Sequence, residues 1–77
     1  MDVYEFIRKI EEEYEDVPVG LLTPSSNFKE IINWSSINVV VFSTLIEYEY
    51  HVMLNPDDFK TINTVSELFE LIRSKQG

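Results

Sequence analysis

The central apolar segment, residues 37–52, constrains the fold of this chain more than any other feature. It contains the run Val39-Val40-Val41-Phe42 and then the alternation Ile46-Glu47-Tyr48-Glu49-Tyr50-His51-Val52. β-Branched and aromatic residues with a period of two are typical of β-strands. The same segment also fits a helix that begins with an N-cap at Ser35 or Ser36. Such a helix would have one apolar face, formed by Ile37, Val40, Val41, Thr44, Leu45 and Tyr48. The segment alone does not separate the two structures.

The segments on either side favour helix. Near the N-terminus, apolar residues recur at helical spacing behind the possible cap Asp2, at Val3, Phe6, Ile7, Ile10 and Tyr14. Near the C-terminus, Thr64-Val65-Ser66-Glu67 has the pattern of a capping box and precedes the apolar residues Leu68, Phe69, Leu71 and Ile72. Two strands alone among helices would leave exposed edges. We therefore predict that the central segment is helical.

Turn-forming residues separate these helices. Residues 15–34 collect Pro18, Gly20, Pro24, Ser25, Ser26 and Asn27, which predicts a long loop with one short helical turn near residues 28–32. Asn55-Pro56-Asp57-Asp58 predicts a short helix with Pro56 at its first position. The predicted fold is all-α, a single domain over residues 1–77. It has four helices, a long loop between the first and second, and a short third helix.

The composition excludes several functional classes. Among 77 residues there is no cysteine, so the chain has no disulfide, no thiolate nucleophile and no cysteine zinc site. Fourteen acidic residues against six basic ones give a net charge of -8, which argues against nucleic acid and for protein partners with basic patches. The apolar stretches are shorter than the roughly 20 residues that span a bilayer. With no secretory signal at the N-terminus, the expected location is the cytoplasm, without membrane association.

Two motifs accompany this order of elements. Asn33-Trp34-Ser35-Ser36-Ile37 is similar to the attachment motif Gly-x-Asp-Ser-Leu of the acyl carrier protein family. Asn55-Pro56-Asp57-Asp58-Phe59 and Thr61-Ile62-Asn63-Thr64-Val65 are similar to that family's Ile-Pro-Asp-acid pattern and its approach to the last helix. The resemblance covers nearly the whole chain. It departs at Ser35, where the family has Asp, and at Asn33, where it usually has Gly; Asn also tolerates a left-handed backbone.

The resemblance implies an acyl-carrier-like four-helix bundle, monomeric and not itself an enzyme. Such a protein carries acyl groups as thioesters between enzymes of fatty-acid, polyketide or related synthesis. Ser36 matches the serine to which a phosphopantetheinyl transferase attaches 4′-phosphopantetheine from coenzyme A, and Trp34, Ser35 and Ile37 flank it. A carrier of aminoacyl or peptidyl groups fits the same residues. So does an unmodified acidic module that only binds a protein partner.

Further expectations concern the partners and the cargo. Glu47, Glu49, Asp57 and Asp58 correspond to the acidic face that family members present to basic patches of acyl-transferring enzymes. The aromatic and β-branched residues of the predicted core favour a tight cavity or a short or polar cargo. Trp34 is expected to pack the loop onto that core or to contact the arm. The five phenylalanines, Phe6, Phe28, Phe42, Phe59 and Phe69, are predicted to be core residues.

Some residues have simpler interpretations. Ser36 would serve equally well as a helix N-cap. The acidic run that ends the first helix is typical of a solvated face, and we predict no metal site there. His51, the only histidine, has no second histidine or cysteine near it in the sequence, so we expect it at the surface and predict no catalytic residues.

Overall fold

The computed structural model describes residues 2–77. It contains four α-helices: Val3–Glu13 (α1), Phe28–Ile31 (α2), Ser36–Tyr50 (α3) and Val65–Gln76 (α4). A 3-10 helix, Pro56–Phe59, lies between α3 and α4. Within the described residues there is no strand, apart from an isolated antiparallel bridge between Asn27 and Thr64. The all-α class is confirmed, and the central segment is helical. None of the helices in residues 2–77 is both long and apolar enough to cross a membrane.

Side-chain caps determine where the helices begin. Asp2 Oδ1 accepts a hydrogen bond from the Tyr4 N–H at 2.9 Å, at the start of α1. At the start of α4, the Glu67 N–H donates to Thr64 Oγ1 at 3.1 Å, and the Thr64 N–H donates to Glu67 Oε1 at 2.9 Å. Both predicted caps are confirmed. Because the N–H groups of Asn63 and Thr64 donate to the Glu67 carboxylate, its pKa is lowered.

The predicted short third helix is a 3-10 helix rather than an α-helix. Pro56 is its first residue, as expected. Asn55 and Asp58 form a second capping box, which the sequence analysis did not predict: the Asp58 N–H donates to Asn55 Oδ1 at 3.2 Å and the Asn55 N–H to Asp58 Oδ2 at 2.9 Å. A tight turn of this kind satisfies the backbone groups of four residues without needing a longer helix.

The long loop between α1 and α2 is fastened to the beginning of α4. The Phe28 N–H donates to the Asn63 carbonyl at 3.2 Å, and the Val65 N–H donates to the Ser26 carbonyl at 3.1 Å. A further bond joins the Ser66 N–H to the Pro24 carbonyl at 2.8 Å. These bonds join backbone groups, and the loop side chains Val17 and Leu22 are also buried in the core. This attachment positions α2 beside the core.

The core lies between α1, α3 and α4 and is closed by α2 and the 3-10 helix. All five phenylalanines are buried in it, as predicted. The remaining buried apolar residues are aliphatic: Ile7, Ile10, Val17, Leu22, Ile46, Val52, Val65, Leu68 and Ile72. The Phe6 ring contacts one aromatic ring on α4 and one at the end of α3. Its centroid lies 6.0 Å from that of Phe69 and 5.8 Å from that of Tyr50.

The buried face of α3 is not the face suggested by its apolar pattern. The buried residues are Asn38, Phe42 and Ile46, which are four residues apart and so lie on one side of the helix. Ile37 and Tyr48, from the predicted face, are 72% and 79% exposed. Apolar residues occupy both sides of α3, so periodicity cannot show which side is buried. On the buried side, the Phe42 ring fills the space beside Phe28 and Phe59, with centroids 5.4 Å and 6.5 Å away.

Two isoleucine-to-alanine substitutions, one on each side of α3, test this orientation. Ile46→Ala removes a side chain that is 0% exposed, and it should lower the free energy of unfolding by about 2–5 kcal/mol. Ile37→Ala removes the same atoms from an exposed position and should change it by less than about 0.5 kcal/mol. Urea unfolding followed by circular dichroism measures both. Equal losses would contradict the orientation of α3 described here.

Candidate functional site

Ser36 is the first residue of α3, directly after the N-cap residue Ser35, and both are exposed. The Ser35 side chain makes no capping bond to the backbone; its Oγ lies 3.4 Å from Asn38 Nδ2. Among residues 2–77, no hydrogen bond engages the Ser36 hydroxyl. The simpler interpretation, in which Ser36 is the helix N-cap, is therefore wrong, because the N-cap residue is Ser35. Its hydroxyl faces solvent at the end of a 15-residue helix.

Asn33 produces the sharp turn that leads into α3. Its φ is 59°, in the left-handed region that glycine favours and asparagine tolerates. The next residue, Trp34, donates its N–H to the Lys29 carbonyl at 3.1 Å and so closes the end of α2. The expectation that Asn33 tolerates a left-handed backbone is confirmed. This turn carries Ser35 and Ser36 out of the core and into solvent.

A buried polar pair holds this turn against α1. The Tyr14 hydroxyl donates to Asn38 Oδ1 at 2.6 Å, and Asn38 Nδ2 donates to the Asn33 carbonyl at 3.2 Å. Asn38 is the one buried polar side chain among the described residues. This pair was not predicted from the sequence. The available signal was a lone asparagine within an apolar run, since a buried amide needs hydrogen-bond partners.

Tyr14 has a strongly perturbed pKa. Burial raises it from the ordinary value of 10.0 to about 12, and the negative charge of the neighbouring Glu13 contributes in the same direction. The hydroxyl therefore stays protonated and continues to donate to Asn38 throughout the physiological pH range. The pair acts as a fixed link between the end of α1 and the turn at Asn33.

The three residues that flank Ser36 have different environments. Trp34 is half-buried and packs on the core, with ring centroids 5.2 Å from Phe28, 5.1 Å from Phe42 and 5.5 Å from Phe59. The prediction that Trp34 packs the loop onto the core is confirmed. Ser35 and Ile37 are exposed beside Ser36. A molecule that approaches Ser36 thus meets Ser35 and Ile37 directly, while Trp34 supports the turn from beneath.

The N-terminus of α3 suits a negatively charged group. The first turn contains no acidic side chain, and the N–H groups of Ser36 and Ile37 have no acceptor within the helix. The partial positive charge at a helix N-terminus favours anions such as phosphate esters. A phosphate attached to the Ser36 hydroxyl would lie beside these N–H groups.

The four acidic residues predicted to face a partner do not form one surface. Glu47 and Glu49 are two residues apart on α3, so they point about 200° apart around the helix axis. Glu49 lies near Lys9, with Oε2 3.6 Å from Nζ, whereas Glu47 is exposed. Asp57 pairs with Lys60 at 2.9 Å, and Asp58 belongs to the capping box of the 3-10 helix. Of the four, Glu47 is the one whose carboxylate forms neither a salt bridge nor a capping hydrogen bond among residues 2–77.

The other titratable groups of the described chain do not assemble into a metal site. Among residues 2–77, no group of three or more histidine or carboxylate side chains is placed to hold a metal ion. His51 is exposed and forms the left-handed C-cap of α3, with φ 57°, where its N–H donates to the Glu47 carbonyl at 2.9 Å. Its role in the described structure is to end the helix.

Comparison with known proteins does not assign the chain to a family. No protein-family model matches it, and no solved structure gives a significant match. The function is therefore argued from the geometry around Ser36.

The Tyr14–Asn38 pair predicts how stability changes at alkaline pH. Because folding raises the pKa of Tyr14, the stability that this group contributes is complete below pH 10 and is lost as the pH rises through about 12. Tyr14→Phe should reduce this loss, leaving the part due to Tyr50, whose pKa burial also raises. At pH 7 the same substitution should cost about 1–3 kcal/mol, because the Asn38 carbonyl loses its donor.

Denaturant unfolding between pH 7 and 12 provides the measurement, with Tyr48→Phe as the matched control. Tyr48 is exposed and makes no side-chain hydrogen bond within the described residues, so its substitution should leave the pH 7 stability unchanged. An unchanged stability of Tyr14→Phe at pH 7 would show that the hydroxyl does not support Asn38.

Proposed function

We propose that this chain is an acyl carrier protein in which Ser36 bears 4′-phosphopantetheine. The observation that carries the proposal is the exposed Ser36 hydroxyl, without a hydrogen-bond partner among residues 2–77, at the first residue of α3. The left-handed turn at Asn33 and the order of the helices support it. Together these features agree with the resemblance of residues 33–37 to the attachment motif of acyl carrier proteins.

Attachment requires a phosphoryl transfer onto the serine oxygen. Ser36 Oγ would bond to the phosphorus of coenzyme A that bears the pantetheine. The phosphoanhydride bond to the other phosphorus would break, and the adenosine nucleotide would leave with that oxygen. The serine proton passes to a base of the separate transferase, which also binds the magnesium ion. This chain supplies the hydroxyl and a helix N-terminus that stabilises the phosphodiester.

The composition agrees with a function in which the attached arm, rather than the polypeptide, supplies the thiol. The chain has no cysteine, so any thioester chemistry must use a thiol that is not part of the polypeptide. When bound, the arm supplies that thiol and carries the acyl group. The net charge of -8 favours association with enzymes that have basic patches, in a manner weakened by salt. Glu47, exposed on the same helix as Ser36, is the acidic residue best placed to meet such a patch.

The first test is the intact mass of the protein after incubation with coenzyme A, magnesium and a broad-specificity phosphopantetheinyl transferase. We expect a gain equal to one phosphopantetheine group. Ser36→Ala should show no gain, and Ser35→Ala should retain it, because the two serines are adjacent and equally exposed but only Ser36 aligns with the attachment position. A gain on Ser36→Ala would place the modification elsewhere.

No gain on the native chain, with either this enzyme or the transferase of the source organism, would overturn the proposal. The acidic module that binds a protein partner without modification would then be the better account. Two observations favour it: the exposed apolar side of α3, and Glu47, which is exposed and forms no salt bridge among residues 2–77.

Ser35→Asp tests how the departure from the family motif affects attachment. Aspartate is a good N-cap residue, so the substitution should keep the helix start intact and slightly stabilise it. It also restores the carboxylate that the resemblance implies a transferase would meet. We expect the initial rate of modification to rise by about tenfold, which corresponds to roughly 1.4 kcal/mol of transition-state stabilisation. A rate equal to that of the native chain would show that the carboxylate is not used.

A further inference from the structure

A cavity of about 580 Å³ lies at the C-terminal end of α1, between the loop that follows this helix and the end of α2. Its lining contains neither Ser36 nor any residue of α3, so it is a surface separate from the one around the serine. Volumes of about 300–1,000 Å³ are typical of concave binding sites. The cavity is larger than one side chain, so it can receive a side chain together with part of the segment that carries it.

One side of this cavity is negatively charged. Three exposed carboxylates, Glu13, Glu15 and Asp16, line it, and no basic residue does. Among residues 2–77, none of the three side chains forms a salt bridge or a hydrogen bond. The end of the helix adds to this charge, because no backbone N–H of the described residues donates to the carbonyls of residues 11–13. The cavity therefore favours a cation.

This charge arrangement is unfavourable in the free protein. Acidic side chains at a helix C-terminus oppose the helix dipole, and the last turn of α1 contains no basic residue to offset them. Burial, and after it the negative charge of Glu13, raises the pKa of the adjoining Tyr14. A departure from the local rules of helix stability that has no compensation within the chain is characteristic of functional sites. A bound cation would supply the missing compensation.

The other side of the cavity is mostly apolar. Val17 is buried, Leu21 is 50% exposed, and Ile31 and Ile32 at the end of α2 are half-buried. Within residues 2–77 no group of acidic or histidine side chains is placed to hold a metal ion, so an organic cation fits better. Arginine and lysine combine an aliphatic stem with a positive charge. Arginine suits this lining better, because its guanidinium has five donors in one plane and meets several carboxylates and carbonyls at once.

We propose that this cavity binds an arginine side chain from a basic patch of a protein partner. The aliphatic stem would lie against Leu21 and Ile32, and the guanidinium would meet the carboxylates of Glu15 and Asp16. The inference goes beyond the proposed function. It does not depend on modification of Ser36, because the two surfaces share no residue.

The test is a titration of ¹⁵N-labelled protein with N-acetyl-arginine methylamide at constant ionic strength, followed by NMR. N-acetyl-citrulline methylamide is the control, because citrulline has nearly the same shape as arginine and no charge. We expect the backbone amide resonances of residues 13–17 and 31–32 to shift with the arginine compound and to stay unchanged with the citrulline compound. Because a single side chain binds weakly, the dissociation constant is fitted from the shifts over the whole titration.

Two pairs of substitutions separate the cavity from general attraction to an acidic protein. Glu15→Gln should raise the dissociation constant about two- to fivefold, as expected for a partly exposed ion pair, whereas Glu47→Gln removes the same charge from α3 and should leave it unchanged. Leu21→Ser should also raise it, and Val19→Ser, at an exposed residue of the same loop outside the cavity, should not. All four positions are exposed, so all four variants should fold.

Equal shifts with the citrulline compound would overturn the inference, because the charge would then play no part. Shifts around Glu47 as large as those at the cavity would overturn it too, since they would show unspecific attraction, and so would the absence of any shift. These outcomes are separate from the mass measurement. A transferase that leaves Ser36 unmodified overturns the proposed function and has no bearing on the binding of arginine in this cavity.

Discussion

The aromatic cluster of Phe28, Trp34, Phe42 and Phe59 is the interaction on which the rest of the structure depends. Its rings come from four consecutive elements: α2, the turn before α3, α3 itself and the 3-10 helix. Four of its pairs have centroids 5.1 to 5.5 Å apart. Since α2 and the 3-10 helix have four residues each, neither would be stable alone. Packing against Phe42 holds both of them in place.

The position of Ser36 follows from this cluster. Trp34 is fixed by the rings below it, and two residues later the chain begins α3 in solvent. The Tyr14–Asn38 bond ties the turn to the end of α1, because the Asn38 amide that accepts from Tyr14 also donates to the Asn33 carbonyl. The same packing turns Phe42 inward and leaves the β-branched side of α3 outside. The exposed serine and the exposed apolar side chains Ile37, Val40 and Tyr48 therefore follow from the same orientation of α3.

Local features of the sequence predicted the starts of the first and last helices and of the 3-10 helix correctly. Asp2, Thr64 with Glu67, and Pro56 act on backbone groups within a few residues of themselves, so their effects do not depend on the remainder of the fold. The left-handed conformation of Asn33 is a local property as well. By contrast, the resemblance assigned the acidic side chains Glu49, Asp57 and Asp58 to one partner-facing surface, and the structure gives each a different partner. Whether a carboxylate is free or paired depends on residues distant in the chain, as Lys9 shows for Glu49.

The sequence by itself determined that the chain is helical, where most helices begin and that its phenylalanines form the core. Tertiary structure alone decided which side of α3 is buried, because both sides are apolar and the choice depends on the volume left by Phe28, Trp34 and Phe59. It also decided the partners of Asn38, since a hydrogen bond between residues 14 and 38 has no local signature. The prediction of Ser36 as an attachment site came from the sequence. Its exposure depended on the packed core, because the core determines which side chains remain in solvent.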